Sequence, residues 1–282
     1  MTWERFGYIC RKISVDSADD ESISTYLDRV ENDKSCDLYG SRICANSWPR
    51  KILDRIGCIQ DESEAKSAVE NYKDLCLTKQ FEEPMRFKRV MAYLSYVTFI
   101  FYIVVGVYQL KVTPSFIDVF ENFGISTPNH LLFFQDYWGY FVLIVSIFLI
   151  SALLIGFKIK KLFSFNVGVE NSLVVKYFVF RNIRKSYLRV ISILEFPTLS
   201  SSQLVNKNDN PITCHLETVR KSDMCVSREM RELIEIEMQS LLESCEKQMK
   251  FVSTAVALIV VAAIFFFLVS AYSPIFILGE AV

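Results

Sequence analysis

Three runs of about twenty residues, each without one charged side chain, constrain this chain more than any other feature. They are Val90–Leu110, Tyr137–Phe157 and Phe251–Tyr272. A bilayer core roughly 30 Å thick is crossed by about 20 helical residues rising 1.5 Å each. Hydrocarbon offers a backbone no water to bond, so runs of this kind become helices. One such run could be a buried core helix, but three in one chain predict membrane spans. The 51% hydrophobic content and mean hydropathy of +0.26 agree. The expected fold class is an all-α membrane protein with three transmembrane helices and two cytoplasmic helical regions.

Orientation follows from the cations. Arg86, Lys88 and Arg89 precede the first run, Lys158, Lys160 and Lys161 follow the second, and Lys247 and Lys250 precede the third. The stretch between the first two runs carries Lys111 against Asp118, Glu121 and Asp136. Positive charge stays on the cytoplasmic side, so the N-terminus is expected inside and the C-terminus outside.

These boundaries predict a cytoplasmic helical domain over 1–88, spans over 90–110, 137–157 and 251–272, an outer hairpin loop over 111–136, a second cytoplasmic helical domain over 158–250, and a short outer tail over 273–282. In the first domain the patterns Glu21–Val30, Pro49–Cys58 and Glu62–Leu77 read as helices, with Asn32–Asn46 as a loop. In the second, Phe180, Ile183, Tyr187, Val190 or Ile191, and Leu194 share a stripe, with Arg181, Arg184, Lys185 and Arg189 largely on other faces. A break is expected at Pro197, then a polar loop over Ser200–Asn210. A further helix starts near Ser227 and runs uninterrupted into the third span.

The residues offer little catalytic chemistry. Neither a GxxxxGK nor a GxGxxG pattern occurs, so no nucleotide-phosphate cradle is expected. The eight cysteines include no CxxC pair, all lie in segments assigned to the cytoplasm, and are expected to be reduced; His130 and His215 are the two histidines. No metal, cofactor or enzymatic activity is expected. The spans hold no ionisable group, which disfavours an ion-coupled transporter. Thirty-one Lys plus Arg against 32 Asp plus Glu disfavour a nucleic-acid partner.

Two motifs carry a resemblance. After the first span stand Pro114 and Phe116, then Phe120, Gly124 and Pro128, before the second span. The C-terminal end reads YSPIFILGEAV, with Pro274 and Phe276 followed by Leu278 and Gly279. Both resemble the type II secretion system F family, the inner-membrane platform proteins of type II secretion and type IV pilus machines. Pro197 stands where that family has a turn between two cytoplasmic helices, with Phe196 in place of its glycine. The resemblance covers about residues 90 to 282.

It implies a multi-pass protein of the bacterial inner membrane that couples a cytoplasmic assembly ATPase to insertion of pilin or pseudopilin subunits into a filament. Other inner-membrane assembly proteins, membrane lipid and further copies of the chain are the remaining implied partners. Arg181, Arg184, Lys185 and Arg189 are candidates for an ATPase or anionic-lipid contact, and Phe116 and Phe120 for a pilin contact. On physical grounds Pro114 and Pro128 would end the first span and begin the second, Pro274 would end the third, and Trp138 and its aromatic neighbours would form an interfacial belt. An alternative reading is a membrane-anchored adaptor or sensor whose cytoplasmic helices bind a partner.

Overall fold

The computed structural model describes residues 2–16, 23–75, 85–122, 124, 129–199 and 210–281. The expected turn proline Pro128 and the polar loop over 200–209 lie outside them. Among the described residues the structure is helical, with one isolated bridge between Ser47 and Asn166 and no strand. The helices are α1 (Thr2–Asp16), α2 (Ile23–Glu31), α3 (Trp48–Gly57), α4 (Glu62–Lys73), α5 (Met85–Val107), α6 (Thr113–Asn122), α7 (Asn129–Leu162), α8 (Leu173–Phe178), α9 (Arg181–Glu195), α10 (Pro211–Lys221) and α11 (Val226–Ala281). Three of them hold windows long and apolar enough to cross a membrane, making this a multi-pass membrane protein.

The chain forms two compact units. One combines Met1–Pro84 with Lys158–Cys245, and the other combines Met85–Phe157 with Glu246–Val282. The expectation of two separate helical regions, before the first span and after the second, is therefore corrected: they make one polar unit. Helices of ten to fifteen residues cannot each bury an apolar stripe alone, so the two segments bury theirs against each other.

α1 shows how. Trp3, Phe6, Ile9, Cys10 and Ile13 are buried on one stripe. Their 3-3-1-3 spacing is that of a helix face, although the charges scattered through this segment mask it in the sequence. Phe6 meets the Tyr72 ring edge-on at 5.4 Å, and Trp3 meets Phe165 at 6.0 Å. Phe165 stacks in turn on Tyr187 of α9 at 5.6 Å. Main-chain bonds join the same segments: Trp48 N–H donates to Phe165 C=O (3.0 Å), and Val167 N–H donates to Asn46 C=O (2.9 Å).

Local signals place the helix starts. Asp61 caps α4 by accepting from Ser63 N–H at 2.9 Å, and Asn210 caps α10 by accepting from Ile212 N–H at 3.2 Å. Pro49 and Pro211 occupy first-turn positions, where a missing N–H costs nothing. The Asn32–Asn46 loop contains a 3-10 turn, Lys34–Tyr39. A buried cation ties this turn down: Arg5, 1% exposed, donates to Glu31 C=O (2.8 Å), Gly40 C=O (3.2 Å) and Asp37 Oδ1 (3.1 Å).

In the second unit the apolar helices meet through small and aromatic side chains. Gly156 of α7 lies where an added Cβ would collide with Met91 Sδ of α5, approach its Cε to 3.0 Å, and stand 3.6 Å from Met249 Cε of α11. Tyr108, Trp138 and Phe267 form a second meeting point, with ring centroids 5.2 to 5.6 Å apart. Trp138 is 7% exposed and so belongs to this inter-helix cluster, correcting its expected place in an interfacial belt. Its neighbour Tyr137 is exposed.

Candidate functional site

The basic helix α9 forms as its spacing predicts. Ile183, Tyr187, Val190 and Leu194 are fully buried, which turns Arg181, Lys185 and Arg189 outward and leaves Arg184 half-buried. Arg189 is exposed and pairs with Glu237 of α11 at 3.0 Å. Ser186 and Ser240 approach to 3.2 Å beside it. Phe180 departs from expectation. It precedes the helix with an extended ψ of 138°, off the helical register, and is exposed rather than part of the buried stripe. Pro197 does interrupt the helix, inside the 3-10 turn Phe196–Thr198, and the turn buries Phe196.

Between the first two spans the structure differs more. The expected loop over 111–136 is largely helical: α6 follows α5 through a π-turn, Tyr108–Val112, and α7 begins at Asn129. Pro114 therefore does not end the helical path. Its ring would clash with the carbonyl four residues back, and widening the preceding turn relieves this. Thr113 N–H bonds five residues back to Tyr108 C=O, and its hydroxyl donates to the same oxygen at 3.3 Å. Gly124, past the end of α6, has φ +64°, the left-handed conformation that favours glycine at a helix stop.

The two phenylalanines separate. Phe120 is fully buried and unavailable to a partner, which corrects its candidacy as a contact residue; Phe116 is half-buried. Pro274 does not end the third helix either, since α11 continues to Ala281. In apolar surroundings one missing N–H costs less than releasing a whole turn of backbone from its bonds. Phe276 beyond it is exposed.

The sequence pattern gave no notice of a cleft of about 960 Å³ in the polar unit, between α3, α4, the 3-10 turn at Pro197 and the start of α11. Its walls mix Lys51, Arg55 and Arg220 with Asp54, Asp61 and Glu64, so it has no single charge preference. Behind it Glu195, 8% exposed, pairs with Arg55 at 2.8 Å and lies 3.6 Å from Lys51, which also sits 4.0 Å over the Trp48 ring. Two cations thus face one buried carboxylate, and the group holds the wall in place. Cys225 lines the cleft, and its thiol is held below the usual range by a hydrogen bond from Ser227 and by main-chain N–H groups at the start of α11.

Among the described residues no cluster of three or more His, Cys, Asp or Glu is placed to hold a metal ion. His215 and Glu229 are 2.8 Å apart on an exposed surface, outside the lining of the cleft. Comparison with known proteins finds no matching family model, no matching curated protein and no matching solved structure. The arrangement is suited to holding helices in a fixed relation and presenting a charged surface.

Proposed function

We propose that this chain is a non-enzymatic inner-membrane platform of a filament-assembling machine, of the type II secretion or type IV pilus kind. In this reading the polar unit faces the cytoplasm and meets an assembly ATPase, and the spans guide pilin or pseudopilin subunits into the filament. The observation that carries it is the Pro-Phe-Phe-Gly pattern after the first span. Pro114 follows the π-turn by two residues, Phe120 is buried and Gly124 has positive φ, so these three motif residues have structural tasks suited to their types. The C-terminal motif supports the same reading. A polar unit continuous with the span unit at three points of the chain, 84/85, 157/158 and 245/246, suits transmission, because force on it reaches all three spans.

The test is made in the native cell with the full-length protein. Deletion of its gene should abolish filament formation without lowering pilin or ATPase levels, and the detergent-extracted chain should retain the ATPase. Filaments formed at normal yield in the deleted strain would overturn the proposal.

A further inference from the structure

The segment following the second span has a surface unlike the rest of the polar unit. In α8 and the two residues after it, Val175 and Val179 are buried and fasten the segment to the unit. Leu173 is 72% exposed, Tyr177 71% and Phe178 57%, and Phe180 beyond them is exposed as well. Single exposed apolar side chains are ordinary, whereas four large ones within eight residues mark a contact surface.

Charge narrows the partner. From Lys158 to Arg189 the chain carries Lys158, Lys160, Lys161, Lys176, Arg181, Arg184, Lys185 and Arg189 against Glu170 alone. Lys160, Lys161, Lys176, Arg181 and Lys185 are exposed, and Lys176 lies 5.7 Å from the Tyr177 ring centroid. Aromatic and aliphatic side chains interleaved with snorkelling cations are the composition of a surface seated at the headgroup level of a bilayer. A tether supplies proximity: ten residues separate the end of α7 at Leu162 from Leu173, a reach of at most about 35 Å.

We propose that α8, with the exposed cations at the start of α9, lies in the interface of the bilayer that the chain's own spans cross and binds anionic phospholipid headgroups. Tyr177, Leu173 and Phe178 enter the headgroup and upper acyl region, while Lys176, Arg181 and Lys185 meet phosphate. The segment thereby anchors the polar unit to the membrane surface. This inference does not rest on the platform reading, and a chain with any other task would keep it.

The test uses the full chain in nanodiscs of phosphatidylcholine, with or without phosphatidylglycerol, carrying the photocrosslinker p-benzoylphenylalanine in place of Tyr177. Irradiation should form lipid adducts at position 177, detected by site-resolved mass spectrometry. Their yield should fall about tenfold when phosphatidylglycerol is omitted, or when Lys176→Glu, Arg181→Glu and Lys185→Glu are combined. The same probe in place of Leu38, 86% exposed on the polar unit, should give little lipid adduct. Absence of adducts at 177, equal yield from Leu38, or indifference to phosphatidylglycerol would each overturn the proposal. Capture at 177 of a protein rather than lipid, in whole cells, would also overturn it.

Discussion

The Tyr72 hydroxyl donates to the main-chain carbonyl of Leu194, a buried bond between residues 122 positions apart. It joins α4, which precedes the first span, to the end of α9, which follows the second. Tyr72 is fully buried, and burial, reinforced by the nearby Cys10 and Glu195, pushes its hydroxyl well above the ordinary phenol range, so it stays a donor across the working pH range. Tyr72→Phe keeps the ring contact with Phe6 and strands the carbonyl. The expected cost is about 1–3 kcal/mol, read as a lower denaturant midpoint for the polar unit in the detergent-solubilised chain. An unchanged midpoint would mean that this bond does not hold the two segments together.

At Gly156 the prediction concerns the apolar unit. Gly156→Val places a branched side chain against Met91 and Met249, and close-packed helices have no space to absorb it. Thermal stability in detergent should fall, and Met91→Ala should restore part of the loss when combined with it. Purely additive effects of the two substitutions would show that no shared contact exists.

Arg5 tests the buried cation of the N-terminal segment. Its guanidinium reaches three separate acceptors, a pattern that the single ammonium of lysine does not reproduce. Arg5→Lys should destabilise the polar unit by about 2 kcal/mol or more, and proteolysis should then begin near the 3-10 turn Lys34–Tyr39. A variant whose cleavage pattern and unfolding midpoint match the parent would contradict this role.

Cysteine chemistry gives a pH prediction. Cys225 is held below the usual thiol range, chiefly by the Ser227 hydrogen bond, whereas Cys10 and Cys36 are pushed above it, chiefly by burial. The thiolate is the reacting species, so iodoacetamide labelling of Cys225 in the folded chain should reach half-maximal rate at a lower pH than a free thiol. Ser227→Ala should move that midpoint upward. Cys10 and Cys36 should label only on unfolding. Labelling of Cys225 at the ordinary thiol midpoint in the parent chain would refute the prediction.

Much of the architecture was legible because the signals are local. The buried stripe of α9, the start of α4 at Glu62 and the unbroken run of α11 into the third apolar stretch all follow from residue spacing within a single helix. The misreadings have two causes. Pro114 and Pro274 read as helix ends because proline removes an N–H, yet at Pro114 a widened turn absorbs the defect, and both segments remain helical. Phe120 and Trp138 read as outward aromatics because sequence position does not say which face a neighbouring helix will cover. The cleft, the Glu195 ion pairs and the exposed face of α8 have no periodic signature, since each depends on residues distant in the chain or on which face the rest of the unit covers.

The sequence by itself determined that this chain crosses a membrane, because three uncharged runs of about twenty residues satisfy their backbone in hydrocarbon only as helices. It also determined where cations and apolar stripes lie along each helix. The tertiary structure alone decided that the segments before the first span and after the second share one core, through Trp3, Phe165, Tyr187 and the bond from Tyr72 to Leu194. Periodicity is a property of one helix, whereas the choice of which stripe covers which is settled by shape and by hydrogen bonds between residues far apart in sequence.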